Sequence, residues 1–164
     1  MESRLAMYRS WQIAQIKEML SIARQLVTQL PDNQHNTLRA DGTGWTVVEV
    51  ICHLRDFDMV FLQRAELTVR QEYPELPFPD PDRLARERNY NVLDGRTAVA
   101  QWEASRRKML GFFEGLDIND EETWNQMGAH PKRGPFSLND QLMLIPRHDT
   151  LHLEQIASII KRGR

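Results

Sequence analysis

Residues 137–161, SLNDQLMLIPRHDTLHLEQIASIIK, decide how this 164-residue chain is read. Leu138, Leu142, Ile145, Ile156 and Ile159 recur at helical spacing and mark one apolar stripe. Ser137-Leu138-Asn139-Asp140 reads as a capping box, in which a hydroxyl and a carboxylate satisfy the first free amides of a helix. His148 and His152 stand four residues apart at the edge of that stripe. On a helix this spacing brings their Cβ atoms to roughly 5–6 Å on one face. Both rings can then reach one metal ion. Pro146 removes the bond to the Leu142 carbonyl and is expected to bend the axis, opening a site beside the histidines.

Working outward, three more long helices are expected. Leu5, Tyr8, Ile13, Ile16, Met19, Leu20, Ala23, Leu26, Val27 and Leu30 give a first helix, stopped by Pro31-Asp32-Asn33. After the Asp41-Gly42 and Gly44 turn, Thr46-Val47-Val48-Glu49 is a second capping box, opening a helix from about Val47 to Gln71. Pro74, Pro77, Pro79 and Pro81 end it in a rigid connector. Asp80-Pro81 starts a short helix to about Tyr90, and Asp94-Gly95 turns the chain into a helix from about Thr97 to Leu116. No strand-like alternation, internal repeat or low-complexity tract is evident. The fold class is therefore all-α, one helical-bundle domain over residues 1–164. The excursion from Glu72 to Arg96 is long enough to cross the bundle, so a simple up-down-up-down order does not follow.

The chain is 41% hydrophobic, with 21 Lys+Arg against 23 Asp+Glu and a net charge of −2. That suits a globular domain with a core of its own. It lacks the basic footprint of a nucleic-acid binder. The single cysteine, Cys52, excludes an intrachain disulfide and a Cys-rich zinc module. Met1 to Gln15 lacks a secretory h-region, and no apolar run approaches the roughly 18 residues of a membrane span. A cytoplasmic protein without membrane or nucleic-acid partners is expected.

A His-x-x-x-His pair arises by chance in roughly one such sequence in seven, so position matters more than spacing. His53, beside the stripe of the second helix, supplies a third nitrogen if the second and last helices are neighbours. Three histidines bind Zn²⁺, Ni²⁺ or a similar ion and leave a coordination position open, the mark of a catalytic metal. The competing reading is that these histidines pack and hydrogen-bond in the core. Cys52, about 100° around the helix from His53, is read as a small buried hydrophobe. Glu49 is read as a cap before a general base. Arg106-Arg107-Lys108 would be a phosphate site only in a convergent pocket and is read as a solvated face; Trp102, Phe112, Phe113 and Trp124 are read as core or rim packing before a ligand box. His130 either covers a site next to the last helix or lies in an exposed loop.

Gly44-Trp45-Thr46 opening a helix, His53-Leu54-x-Asp56, and His148-Asp149-x-x-His152-x-x-Gln155-Ile156 together resemble the DinB/YfiT-like superfamily of metalloenzymes, over about Met7 to Ile160. The loop with His130 and Gly134 and the Ser137-Leu138 helix start also look like that family. The resemblance implies a four-helix bundle with a long crossover, commonly a homodimer. It implies one divalent ion, usually Ni²⁺ or Zn²⁺, held by His53, His148 and His152. Leu151 and Glu154 stand where many relatives have a further histidine and a glycine, which alters the pocket and so the substrate. The family's activities include thiol S-transfer with low-molecular-weight thiols, a thiol-dependent isomerase and hydrolases. They imply a metal-dependent enzyme acting on a small molecule by activating water or a thiol. Gln155 is then a hydrogen-bond partner of a ligand, and Asp56 or Asp149 either orients an imidazole or is a surface acid. The other class is a non-catalytic or stress-induced metal-binding bundle.

Overall fold

Four long helices meet wherever the apolar stripes of the sequence demand a partner. In the computed structural model, which describes residues 3–39, 42 and 44–163, they are α1 (Arg4–Val27), α2 (Val47–Arg70), α4 (Gly95–Glu114) and α6 (Leu138–Gly163). The connections hold two short helices, α3 (Pro81–Glu87) and α5 (Glu121–Trp124), and two strands, β1 (Met127–His130) and β2 (Gly134–Ser137). Among the described residues no helix is long and apolar enough to cross a membrane.

The caps act as the sequence suggests. Thr46 Oγ1 accepts from the Glu49 amide while Glu49 Oε2 accepts from the Thr46 amide at 2.8 Å. Ser137 and Asp140 do the same for α6, where the Ser137 amide donates to Asp140 Oδ2 at 2.9 Å. Such a cap stabilises a helix by about 1 kcal/mol. α4 starts two residues before the expected Thr97, because Asp94 caps it by accepting from the Thr97 amide. Gly95 in its first turn is required by close approach, since a Cβ there would lie 2.5 Å from His35 Nδ1. α3 ends at Glu87 and not near Tyr90, because Asn89 takes up a left-handed backbone with φ of 47°. Of the Asp41-Gly42 turn, Asp41 lies outside the described residues, as does Met1.

The core falls into two apolar clusters, and the order in which each helix visits them gives its direction. One contains Val27, Ile51, Leu54, Trp102, Leu153 and Ile156; the other contains Ile16, Phe57, Phe61, Phe113, Leu142 and Ile145. α1 and α6 run from the second cluster to the first, while α2 and α4 run the opposite way. The order is thus up, down, down, up. α2 packs on α4 and α6, and α1 packs on α4 and α6, so α1 faces α2 across the bundle diagonal. Parallel neighbours need a return over the full length of the bundle. The excursion between α2 and α4 supplies it.

One segment departs from the sequence reading. Residues expected as loop form an antiparallel hairpin, β1 paired with β2 in the register Gly128 to Phe136 and His130 to Gly134. Its four-residue strands are too short for alternation to be visible. The hairpin is held by the proline-rich connector: the Ala129 amide donates to the Pro74 carbonyl at 2.8 Å, and the Leu76 amide to the Ala129 carbonyl at 2.9 Å. Gly128 makes this approach possible, since a Cβ there would lie 2.7 Å from Leu76.

Candidate metal centre

Between the two apolar clusters lies a polar waist, built by α2, α4 and α6. His53 is on α2, and His148 and His152 are on α6, successive turns of one face. The antiparallel packing of α2 on α6 brings the three rings together, with centroids 5.0 Å (His53 to His148), 4.4 Å (His53 to His152) and 4.6 Å (His148 to His152) apart. One candidate ligand atom from each lies within 4.8 Å of the others. His53 Nε2 and His148 Nε2 are 3.0 Å apart. Two nitrogens bound tetrahedrally to one Zn²⁺ at about 2.05 Å would be about 3.3 Å apart, so the spacing fits a shared ion. It also lets one proton bridge the pair, to be released if a metal binds.

Electrostatics keep His53 and His152 free of extra protons. Burial, followed by the neighbouring His152 and His148, pulls the His53 pKa down to about 2. Burial, then His148, pulls His152 down to about 4, against the opposing hydrogen bond to Gln155. Neutral imidazole is the ligating form. Gln155 Oε1 lies 3.0 Å from His152 Nδ1, which turns His152 Nε2 toward the other rings. His53 Nδ1 and His148 Nδ1 are buried and have no hydrogen-bond partner among the described residues. Trp45, Phe57 and Phe61 wall the cluster, their rings 4.8 Å from His53, 4.2 Å from His53 and 5.2 Å from His148 respectively. This set of donors, convergent and set in an apolar wall, suits a borderline divalent ion.

Beside it lies a second polar cluster that the sequence reading missed. Arg106, expected on a solvated face, is 1% exposed and touches all three other long helices. Its Nε and Nη2 each donate to Asp58 at 2.8 Å, its Nη1 to Asp149 Oδ2 at 2.5 Å, and Nη1 also to the Ile16 carbonyl at 3.3 Å. Trp102 Nε1 donates to Asp58 at 2.9 Å. Burial raises the Asp58 pKa against the pull of Arg106, with the charge of Asp149 adding to the rise. Burial would raise Asp149 too, but Arg106 and the neighbouring His148 together outweigh it and hold that carboxyl low. The missed signal was register: Arg106 falls four residues after Trp102 and three before Met109, on the buried stripe itself.

The remaining candidates separate cleanly. Asp149 lies 3.9 Å from His148 Nδ1, beyond hydrogen-bond distance, and is committed to Arg106. Asp56 is buried, held by the Tyr90 hydroxyl at 2.5 Å, Arg88 at 2.8 Å and Arg55 at 2.7 Å, and so is neither a surface acid nor an imidazole partner. Cys52 is buried, and burial pushes its thiol up to about 11. Glu49 is the cap and also pairs with Arg39 at 2.9 Å. His130 is buried in the hairpin between Phe78 and Phe136, and is no part of the cluster. Pro146 does not open the histidine site. It is buried in an unbroken α6 and lines a groove with Gln12 and Gln15 of α1, about 200° around the helix from His148.

An all-α bundle with parallel neighbours and three histidines converging at its waist defines a class of metal-dependent helical-bundle proteins. The chain belongs to the DinB superfamily, whose family model matches residues 15–156. It is 28% identical to a protein from Oceanobacillus iheyensis over 92% of this chain and 84% of that one, and 30% identical to one from Geobacillus kaustophilus over 92% and 83%. Both relatives are named, provisionally, as metal-dependent hydrolases. Among solved structures it is similar to YfiT from Bacillus subtilis, provisionally a metal-dependent hydrolase with an unusual four-helix bundle topology. That likeness has a TM-score of 0.85 at 23% identity, covering 99% of this chain and 91% of YfiT. A mycothiol-dependent maleylpyruvate isomerase shares the fold at a TM-score of 0.74 and 13% identity, over 94% and 67%. These relatives and the histidine cluster support a metal-dependent function.

Proposed function

We propose that the protein is a metal-dependent enzyme acting on a small molecule, with His53, His148 and His152 as the ligands of one Zn²⁺ or Ni²⁺ ion. The observation that carries this reading is the convergence of three imidazoles, of which His53 and His152 are held neutral, and whose outer nitrogens find few partners in the protein. An ion bound there lowers the pKa of water or of a thiol and supplies the nucleophile, which makes the reaction a hydrolysis or a thiol S-transfer. The chain's own part is positional. Gln155 fixes the tautomer of His152, and Trp45, Phe57 and Phe61 exclude bulk water from the face where the rings meet.

The proposal includes a cytoplasmic homodimer. Tyr8 and Trp11 of α1 and Met143 and Leu151 of α6 are exposed on one side of the molecule, next to a groove of about 390 Å³ lined by Leu5, Tyr8 and Met143. Large apolar side chains gathered in this way suit an isologous contact. Sedimentation should give a dimer that Trp11→Glu dissociates; a monomer at high concentration counts against it.

The activity is tested with a panel of esters, amides and electrophiles offered with low-molecular-weight thiols. Turnover that a chelator abolishes, added metal restores and His148→Ala removes supports the enzyme. Bound metal without turnover across the panel favours the non-catalytic binder.

A further inference from the structure

Three arginines are buried among the described residues, and they are treated very differently: Arg9, 3% exposed, is paired with Glu121. Arg106 is 1% exposed and shared by two aspartates. Arg64, on α2, is 2% exposed and meets no carboxylate. Its Nε donates to the Pro77 carbonyl at 2.7 Å, and its Nη2 is buried with no hydrogen-bond partner among the described residues. None of the ion pairs among the described residues involves Arg64, Lys132 or Arg133. Yet the three cations gather at one place. Lys132 Nζ and Arg64 Cζ lie 4.8 and 5.7 Å from the Phe78 ring, and Arg133 is near enough to help burial pull the Arg64 pKa down to about 10. Burial lowers His130 there as well, with Arg64 and Arg133 adding to the effect. A guanidinium taken out of water without an anion is costly, and proteins keep such groups where a ligand supplies the charge.

Position says what the ligand reaches. Phe61 packs edge-on against His148 at 5.2 Å and carries Arg64 Cζ 5.6 Å from its centroid. Adding the two distances puts the His148 ring and the guanidinium no more than about 11 Å apart. On α6, Gln141 stands two turns before His148 and donates to Thr68, one turn beyond Arg64, while its own Oε1 is buried without a partner. In the cleft of about 340 Å³ that Trp45 also lines, Arg39 is paired with Glu49, and Asn91 with Asn36 and Thr46.

Resting on the enzyme reading above, we infer that Arg64 binds a carboxylate of the substrate, a small organic acid whose reacting end lies at the three histidines. Phe61 is the wall along which the molecule lies. The planar guanidinium fork suits a carboxylate, paired through two nitrogens. Phe78, 38% exposed and stacked on the same cations, is the side chain an entering acid displaces, with Lys132 and Arg133 drawing the anion in.

The test uses thiols that differ only at the far end. Cobalt-loaded protein is titrated with 3-mercaptopropionate, 6-mercaptohexanoate and the neutral 6-mercaptohexanol, following the sulfur-to-cobalt absorption band. The better-fitting acid should bind about tenfold tighter than the alcohol, and Arg64→Met should erase that preference while leaving the affinity for the alcohol unchanged. Equal affinities in the native protein, or a preference that survives Arg64→Met, overturn the inference. A protein that takes up no cobalt defeats the enzyme reading instead. The anion site is then judged on metal-free native protein, which also decides if Arg64→Met does not fold. Hexanoate should shift the Arg64 side-chain Nε–H resonance saturably, and no shift overturns the site.

Discussion

His148 and Asp149 are consecutive residues that serve opposite halves of the polar waist. Asp149 points into the centre of the bundle, where Arg106 ties it to Asp58 and so joins α4 to α2 and α6. There each donor of the guanidinium meets an acceptor. His148 points to the side, where its Nε2 meets another imidazole nitrogen and its Nδ1, 3.9 Å from Asp149, has no hydrogen-bond partner among the described residues. A buried polar network with its hydrogen bonds made fixes a structure; one left short of partners costs free energy that only a ligand recovers. The first cluster is therefore read as architecture and the second as a site.

The largest effect should come from breaking the satisfied cluster. Arg106→Met leaves two buried carboxyl groups facing each other and should lower the unfolding free energy by about 3–5 kcal/mol, read by urea denaturation. Metal content per folded chain should fall far less than stability. The histidines should behave in the reverse way. Replacing all three by alanine should change metal-free stability much less than Arg106→Met does. It should abolish the stabilisation by added Zn²⁺ or Ni²⁺, which in the native protein is about 2.7 kcal/mol at a hundredfold excess over Kd. Equal stability losses in the two variants would erase the distinction.

Smaller changes sharpen it. Gln155→Leu removes only the partner of His152 Nδ1 and should weaken metal binding about tenfold by calorimetry, with the fold intact. The pH dependence of the metal-free protein should be milder still. His152 is held down to about 4 and His53 to about 2, whereas unfolded histidines titrate near 6.5. Below about pH 6.5 the unfolded chain takes up protons that the folded one refuses. Stability is then full above that pH and declines as the pH falls toward 4. In His152→Ala the decline should be shallower, and an unchanged slope would mean that His152 is not neutral in the folded protein.

How much of this is written in the sequence depends on the range of the interaction. Caps such as Thr46-Glu49 and Ser137-Asp140 act within four residues and were legible, as were the long stripes. His148 and His152 are local to one helix, but bringing His53 to them needs α2 beside α6, which only tertiary packing decides. Arg106 lies inside against the usual preference of a charge for solvent, and only its register with Trp102 and Met109 on the apolar stripe signals it in the sequence. Arg64 sits in the same kind of register, three residues after Phe61. The hairpin escaped notice because long-range bonds to Pro74 and Leu76 hold it, more than its own pattern does.

The most direct test of the difference between the two clusters is the elemental metal content of tag-free protein expressed without metal supplementation, beside the His53/His148/His152 triple-alanine variant. About one Zn or Ni per chain, lost in the variant while it stays folded, is the predicted result. A folded native protein that is empty and takes up neither added Zn²⁺ nor Ni²⁺ would contradict it and leave the three histidines as packing residues.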